Sequence, residues 1–411
     1  MKRRVVVTGY GVVSPLGNNV NDLWENVQAG VSAIKKIDYD TYTDIPTQIG
    51  APIVDFDPNE YISRRDQKRY DLFIQYGYVA AMQALKSANV NLNKINKERV
   101  GVYIGTGAGG MDTLLENHQT FIERGPRRVS PFLVPMMINN MASGIVAIDT
   151  GFKGPSFAPM SACATGNQAI GEAYLNIMHG YSDAILAGGT EAMMNALAYA
   201  GFSRMRAMST NNEAPKQASR PFDQQRDGFV MGEGAGVLFL EAYEHAKERG
   251  ATILGEIVGY GATTDAYHMT SPDPKGAARA MQLAIDQANI QNDAIDYINA
   301  HGTSTPEGDI SETKAIKEVF GNHAKDLVVS STKSMIGHLF GAAGGVETIV
   351  TLKSLQENIV TPTINLDYPD PACDLNYVPN EAIKRDIHYA LSNGFGFGGH
   401  NAVLALKKYV E

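Results

Sequence analysis

The chain has 411 residues, 44% of them hydrophobic, with 35 basic and 44 acidic side chains and a net charge of −9. That length carries a large buried core and two or three domains' worth of structure, and the acidic balance argues against general nucleic-acid binding, which needs a broad basic field. Its two cysteines, Cys163 and Cys373, are too few and too far apart for a disulfide scaffold or a cysteine-based zinc site, and no apolar run approaches the roughly 20 residues of a bilayer span, so a soluble protein of the reducing cytoplasm is expected.

The N-terminus, "MKRRVVVTGYGVVSPLG", opens on a β-branched strand over 4–9. Its apolar run is broken at Thr8, Gly9 and Gly11 and no small-residue cleavage site follows, so it does not read as a secretory signal. "NDLWENVQAG" (21–30) pairs Leu23 with Val27 at i,i+4 and stops at Gly30, a short helix. A basic cluster, "RRDQKR", follows at 64–69. The next strand, "VGVYIGTG" (100–107), runs into "GTGAGG" (105–110), which matches the dinucleotide-binding pattern G-x-G-x-x-G. That pattern also needs an acid at the end of a further strand roughly 20 residues on. This chain has "NHQTFIERGPRRVS" there, a helix and then a turn, so no nicotinamide site is expected.

"PMSACATGNQAIGEAY" (159–174) places Cys163 among small residues at the start of a helix over 164–179, with Ile170, Tyr174, Ile177 and Met178 on one face and Gly180 as its stop. A helix N-terminus offers free N–H groups and positive potential, which lower a thiol's pKa and can hold an oxyanion. Two readings stand at this point: a nucleophile, or a small buried thiol that packs. The strands "AILAGGTEA" (184–192) and "GVLFLEA" (236–242) follow, and a boundary near residue 250 divides the chain into halves 1–250 and 251–411.

The second half repeats the rhythm. "ILGEIVGYG" (253–261) is a strand and "AARAMQLAIDQANI" (277–290) an amphipathic helix. "DYINAHGT" (296–303) ends in His301, which opens the run "HGTSTPEGD", and a helix follows over 311–321. "LVVSSTKS" (327–334) leads to Lys333 and to His338 in "STKSMIGHLFGAAGGVE". "SNGFGFGGHN" (392–401) reads as a glycine-rich lid carrying Phe395 and Phe397, with a hairpin as the alternative, and "NAVLALKKY" (401–409) is a last strand. Strands alternating with helices give an α/β fold with layered sheets. Strand ends are where such sheets place their chemistry, so Cys163, His301 and His338 form a nucleophile-plus-two-imidazoles set. Lys333 is read as solvated or, alternatively, as buried against an acid such as Glu347. Cys373, in "YPDPACDLNY", is a structural thiol.

Eight stretches in order, "VVVTGYGVVSPLG", "GPRRVSPF", "SACATG", "AGGTEA", "RPFDQQRDGFVMGEGAG", "NAHGTSTPEGD", "SSTKSMIGHLFGAAGG" and "SNGFGFGGHNAVL", resemble the β-ketoacyl-acyl-carrier-protein synthases of the type II elongation group nearly end to end. The resemblance implies a thiolase-like fold, two similar α/β halves in an αβαβα core, and a homodimer. It implies acylation of Cys163, decarboxylation of malonyl carrier protein, and attack of the carbanion on the acyl-cysteine. By the same resemblance His301 and His338 hold the enolate, Lys333 and Glu347 support them, and the Phe397 amide completes the oxyanion hole while its ring gates the site. By the same resemblance Thr303 and Thr305 bind the phosphopantetheine arm, and Thr270, Phe395, Phe397 and Ala108 are further substrate-binding residues. Arg65, Lys68, Arg127, Arg128 and Arg206 correspond to the carrier-protein docking face. Asn299, Glu347, Ser392 and Asn393 correspond to a structural Na+ or K+ site in some members, and no other cofactor is required.

One departure stands out: many such enzymes carry isoleucine where this chain has Ala108, at the bottom of the acyl pocket, which opens chain length and tolerance of unsaturated primers. Type I elongating synthases share the Cys-His-His set and are the alternative that Ala108 keeps open. An initiating synthase would carry asparagine in place of His338, and a non-catalytic chain-length-factor subunit would lack Cys163.

Overall fold

The computed structural model describes residues 2–37 and 44–411. Ten strands make the main sheet: β1 Val5–Val13, β2 Val100–Gly105, β3 Ser156–Phe157, β4 Ala184–Glu191, β5 Gly234–Ala242, β6 Gly255–Thr264, β7 Tyr297–Asn299, β8 Val328–Ser330, β9 Tyr389–Gly396 and β10 His400–Lys407. Their order is β3-β2-β4-β5-β1-β6-β10-β9-β7-β8. From the centre outward, the two halves are the same object. In the first, β1-β5 and β5-β4 are antiparallel, and β4-β2 and β2-β3 are parallel. In the second, β6-β10 and β10-β9 are antiparallel, and β9-β7 and β7-β8 are parallel. The halves join where Val5, Val6 and Val7 pair with Ile257, Glu256 and Gly255.

Seven of the longer helices are α1 Leu72–Ser87, α2 Met111–Arg124, α3 Thr165–Met178, α4 Ala196–Arg204, α5 Pro274–Ala288, α6 Pro306–Phe320 and α7 Ala343–Glu357. Strand side chains alternate between faces, and both faces of the central strands, β1, β4, β5 and β10, are buried along nearly their whole length. On β5, Leu238 and Leu240 point to a central core shared with α3 and α7, while Val237 and Phe239 point to an outer core under α1. On β10, Leu404 and Leu406 join the central core, and Val403 and Ala405 join a third core under α5 and α6. The result is the expected five-layer αβαβα sandwich, with α3 and α7 as its middle layer.

The sequence carries a trace of this repetition that the strand rhythm alone does not bring out. The tripeptide Gly-Tyr-Gly occurs at 9–11 in β1 and at 259–261 in β6. A Cβ on Gly9 or Gly11 would strike the Ala84 or Ala80 carbonyl of α1, and a Cβ on Gly259 or Gly261 would strike the Ala284 or Ala280 carbonyl of α5. Each half thus uses two glycines to seat its outer helix directly on its innermost strand, and Tyr10 and Tyr260 face the shared core.

Several elements differ from the sequence expectation. β1 continues through its glycines to Val13, because the close helix needs them and the ladder absorbs them with one register shift between Val7 and Gly9. α6 starts at Pro306 rather than Ser311: proline fits the first helical position, and Glu307 and Asp309 complement the dipole there. Residues 392–401 are not a free lid but a hairpin, β9 turning through Phe397–Gly399 into β10. Cys373 is a free thiol, buried in the third core.

Candidate active site

Cys163 sits in a single 3-10 turn, Ala162–Ala164, that feeds α3 at Thr165. Ala162 holds φ at 49°, a left-handed value disfavoured for a residue with a Cβ. The turn is braced from within by the Ser161 amide donating to Thr165 Oγ1 at 2.9 Å. It is also braced by the β9–β10 hairpin: a Cβ on Gly396 would stand 2.5 Å from the Ser161 carbonyl and 3.1 Å from the Cys163 amide, so only glycine fits there. This contact brings the Phe397 amide to the Cys163 sulfur, beside the residue's own amide.

The expected depression of the Cys163 pKa is not what the environment produces. Burial pushes the thiol up to about 12; the charge of Lys333 and the two amides pull the other way, and Glu191 adds to the rise. Desolvation of the anion outweighs the helix start. The sulfur is therefore a neutral thiol at rest and must shed its proton as it attacks.

His301 follows β7 after a single intervening residue, Ala300, and its main chain is fixed by Glu312 of α6. That carboxylate accepts from the amides of His301 (2.9 Å) and Gly302 (2.8 Å) and from Asn393 Nδ2 (2.9 Å). His338 is held by its amide donating to the Val230 carbonyl at 2.7 Å. Its ring stacks on Phe340 at 4.6 Å and receives the edge of Phe229 at 5.7 Å. The two imidazoles meet edge to face, 5.4 Å apart at 87°. The Phe340 amide donates to His338 Nδ1, at 3.4 Å, which leaves Nε2 to carry the proton into the cavity. His301 Nδ1 is buried with no hydrogen-bond partner among the described residues. Burial, Lys333 and, for His301, the neighbouring His338 push both pKa values well below 6.5. Both rings are neutral donors near pH 7.

Lys333 is not solvated. Its Nζ meets Glu347 Oε1 at 2.5 Å, and both side chains are buried, 1% and 2% exposed. Burial drives the Glu347 carboxyl up to about 7 against the pull of Lys333. Two further acids of the site, Glu312 and Glu191, are not singled out by sequence reasoning. Glu312 lies in a helix whose charged residues look solvent-facing. Glu191 has a readable signal, a lone acid closing the apolar run "AILAGGTE".

Two chambers meet at Cys163. The first, of about 400 Å³, is lined by Cys163, His301, His338, Thr303, Thr305 and Thr270, with Phe395, Phe397 and Arg206 also on its wall. Thr303 and Thr305 pair through their hydroxyls at 3.0 Å, and Thr270 stands on an exposed loop at the mouth. The second, of about 380 Å³, is mostly apolar, walled by Ala108, Met111, Met193, Leu197 and Phe202. Cys163, Met205, Phe340 and Phe397 line both. The glycine-rich turn after β2 faces this second chamber, and its amides are spent on Glu191 rather than open to a phosphate. Arg65, Lys68, Arg127, Arg128 and Arg206 are all exposed. The first two clusters are neighbours, since Arg69 lies over the Phe132 ring at 4.8 Å. Asn299 Nδ2 donates to the Glu347 carbonyl at 3.2 Å, and the Asn167 amide donates to the Ser392 carbonyl at 2.9 Å. Asn393 Oδ1 is buried without a partner among the described residues.

A thiol with two amides at its sulfur, two neutral imidazoles across a polar chamber, and an apolar chamber behind it define a condensing enzyme of the thiolase-like class. The family model for the β-ketoacyl synthase N-terminal domain matches residues 2–246, and that for the C-terminal domain matches residues 254–367. The chain belongs to the β-ketoacyl synthase family. It is 48% identical over 410 residues to 3-oxoacyl-[acyl-carrier-protein] synthase 2 of Synechocystis sp. and 51% identical over 409 residues to the enzyme of that name from Staphylococcus aureus, with 99% of each chain covered in both cases. Among solved structures it resembles a β-ketoacyl synthase from Burkholderia phymatum (TM-score 0.93, 38% identity, 99% of this chain and 100% of the other). It also resembles the ketosynthase of a type II polyketide synthase, solved with its acyl-carrier protein and bound to a hexaketide (TM-score 0.92, 34% identity, 100% of both chains).

Proposed function

We propose that the protein is a 3-oxoacyl-[acyl-carrier-protein] synthase that elongates acyl chains in fatty acid biosynthesis. The observation that carries the reading is the meeting of Cys163, His301 and His338 in one chamber, with an apolar chamber opening from the same sulfur. In the first half-reaction Sγ attacks the thioester carbonyl, and the oxyanion rests on the Cys163 and Phe397 amides. The carbon–sulfur bond to pantetheine breaks, the thiol proton ends on the departing pantetheine sulfur, and the acyl chain lies in the apolar chamber. In the second, malonyl thioester loses CO2. The enolate oxygen takes hydrogen bonds from the neutral imidazoles His301 and His338, and its carbon attacks the acyl-cysteine. The Cys163 sulfur leaves and is reprotonated, releasing a 3-oxoacyl product two carbons longer. Incubation with an acyl carrier-protein primer and malonyl carrier protein, without added cofactor, tests this: an acyl-enzyme by mass spectrometry and a two-carbon extension are expected, and neither would appear for a non-catalytic subunit.

Carrier protein as the partner is supported by the exposed basic residues on an acidic chain and by the polyketide relative's own complex. Arg206, exposed on the wall of the entrance chamber, is the sharpest probe. Arg206→Glu is expected to raise KM for carrier-protein substrates roughly fivefold while leaving KM for a short pantetheine thioester alone; an equal rise for both would remove the docking role.

Ala108 sets the second specificity probe. It lines the apolar chamber, and its methyl leaves room that isoleucine fills. Ala108→Ile is expected to cut kcat/KM for long or cis-unsaturated primers about tenfold or more, on the scale of added methylenes in a closed pocket. An unchanged chain-length profile would count against this assignment. A homodimer belongs to the same reading: the short edge strand β3 and its neighbours expose Phe157, Met160, Ile148 and Val134, an apolar edge suited to a second copy. So does a monovalent cation. Asn299, Glu347, Ser392 and Asn393 carry hard oxygen donors of the kind Na+ or K+ takes, and Asn393 Oδ1 is buried without a partner among the described residues. Such an ion would offset the buried acids Glu312 and Glu347.

A further inference from the structure

Glu191 closes β4 at the wall of the apolar chamber and is completely buried. One carboxylate there takes four donors. Oε1 accepts from Thr106 Oγ1 at 2.9 Å and from the Ala108 amide at 3.1 Å; Oε2 accepts from the Gly107 amide at 2.8 Å and from the Gly341 amide at 3.0 Å. The first three belong to the turn that carries Ala108 into the chamber. The fourth belongs to the turn that carries Phe340, the ring stacked on His338. No other side chain makes hydrogen bonds to both turns among the described residues. A carboxylate suits this place because it presents only acceptors; four N–H or O–H donors converge on it, two on each oxygen, and an amide in its position would set its own NH2 against two of them.

We propose that Glu191 is a positioning residue for chain length: it locks the acyl-chamber turn 106–108 to the imidazole-bearing turn 338–341, so that a chamber filled by a long acyl chain keeps His338 in register. This deepens the condensing-enzyme reading and rests on it. A short primer does not reach Ala108 and presses on neither turn. A long chain pushes against the 106–108 turn, and the carboxylate, bonded to both turns, keeps them from shifting relative to one another.

The test is Glu191→Gln in the full-length protein, assayed for condensation with butyryl and palmitoyl carrier proteins. The ratio of palmitoyl to butyryl kcat/KM is expected to fall at least about tenfold, the scale of leaving one buried donor unpaired. Because the Glu191 charge adds to the rise of the Cys163 pKa, alkylation of Cys163 by iodoacetamide should also gain its alkaline limb at lower pH; the primer-specific loss is the readout that a purely structural defect does not give. Equal losses on both primers, or an unchanged ratio, overturn the proposal. Should Glu191→Gln fail to fold, Thr106→Val removes one donor and should shift the ratio in the same direction by a smaller factor; an unchanged ratio there overturns it as well. Wild-type extension of both primers in the same assay tests the underlying reading separately.

Discussion

Replacing Cys163 with alanine is expected to abolish acyl-enzyme formation and to lower condensation by at least about 10³-fold, the scale of deleting a covalent nucleophile. The fold should survive. The change removes one sulfur from a cavity wall, costs under about 1.5 kcal/mol, and leaves the Ala162 turn and the Gly396 contact as they are. Intact-mass spectrometry after incubation with acyl carrier protein reads the first outcome, and thermal unfolding reads the second. Loss of CO2 from malonyl carrier protein should persist in this variant, because its donors, His301 and His338, are untouched. Acylation of the alanine variant would mean that a different residue is the nucleophile.

The second large effect is at Lys333. Lys333→Met leaves Glu347 buried without its partner and is expected to cost about 3 kcal/mol, seen as a clear drop in Tm. It should also move a pH limb. The charge of Lys333 helps hold both imidazole pKa values below 6.5. Removing it lets both rise, so protonation switches off the neutral donor pair at higher pH. The acid limb of malonyl decarboxylation should therefore shift upward, while stability against acid improves in relative terms. In the wild type each ring must stay unprotonated when folded, so stability falls as pH drops below about 6.5, where the unfolded chain takes up protons first. A Lys333→Met/Glu347→Leu double variant should recover much of the stability and keep the shifted limb. A limb that stays in place would show that the histidines do not sense Lys333.

The residues legible in the sequence are those that look unusual for their surroundings: a cysteine among alanines at a helix start, histidines at strand ends, a lysine without companions. Far less legible are the polar groups that hold those residues still. Glu312 and Lys333 have partners ten or more positions away, and nothing in local periodicity separates a helix acid that faces water from one that caps a histidine's backbone. The direction of the Cys163 pKa departs from expectation for the same reason. The helix start is local and visible, whereas the desolvation that outweighs it comes from Phe340, Phe397 and Met205, drawn from three distant parts of the chain. The hairpin at 392–401 is obscured by its glycines, which look like mobility but serve close contact at Gly396.

The repeated strand order also has a chemical meaning. Cys163 lies in the segment between β3 and α3, and Lys333 and His338 lie in the segment between β8 and α7, Lys333 opening a short helix there. These are equivalent seats in the two halves. Ala108 follows β2 as His301 follows β7, and Glu191 closes β4 where Gly396 closes β9. A nearly symmetric frame is thus furnished asymmetrically: one half supplies the electrophile's anchor and the room for its tail, the other supplies the donors that tame a carbanion. Neither half is an enzyme by itself. The β1–β6 seam, the middle layer of α3 and α7, and the Gly396 contact on the Cys163 turn together bring the two contributions to one sulfur, so the chemistry belongs to the junction rather than to either half.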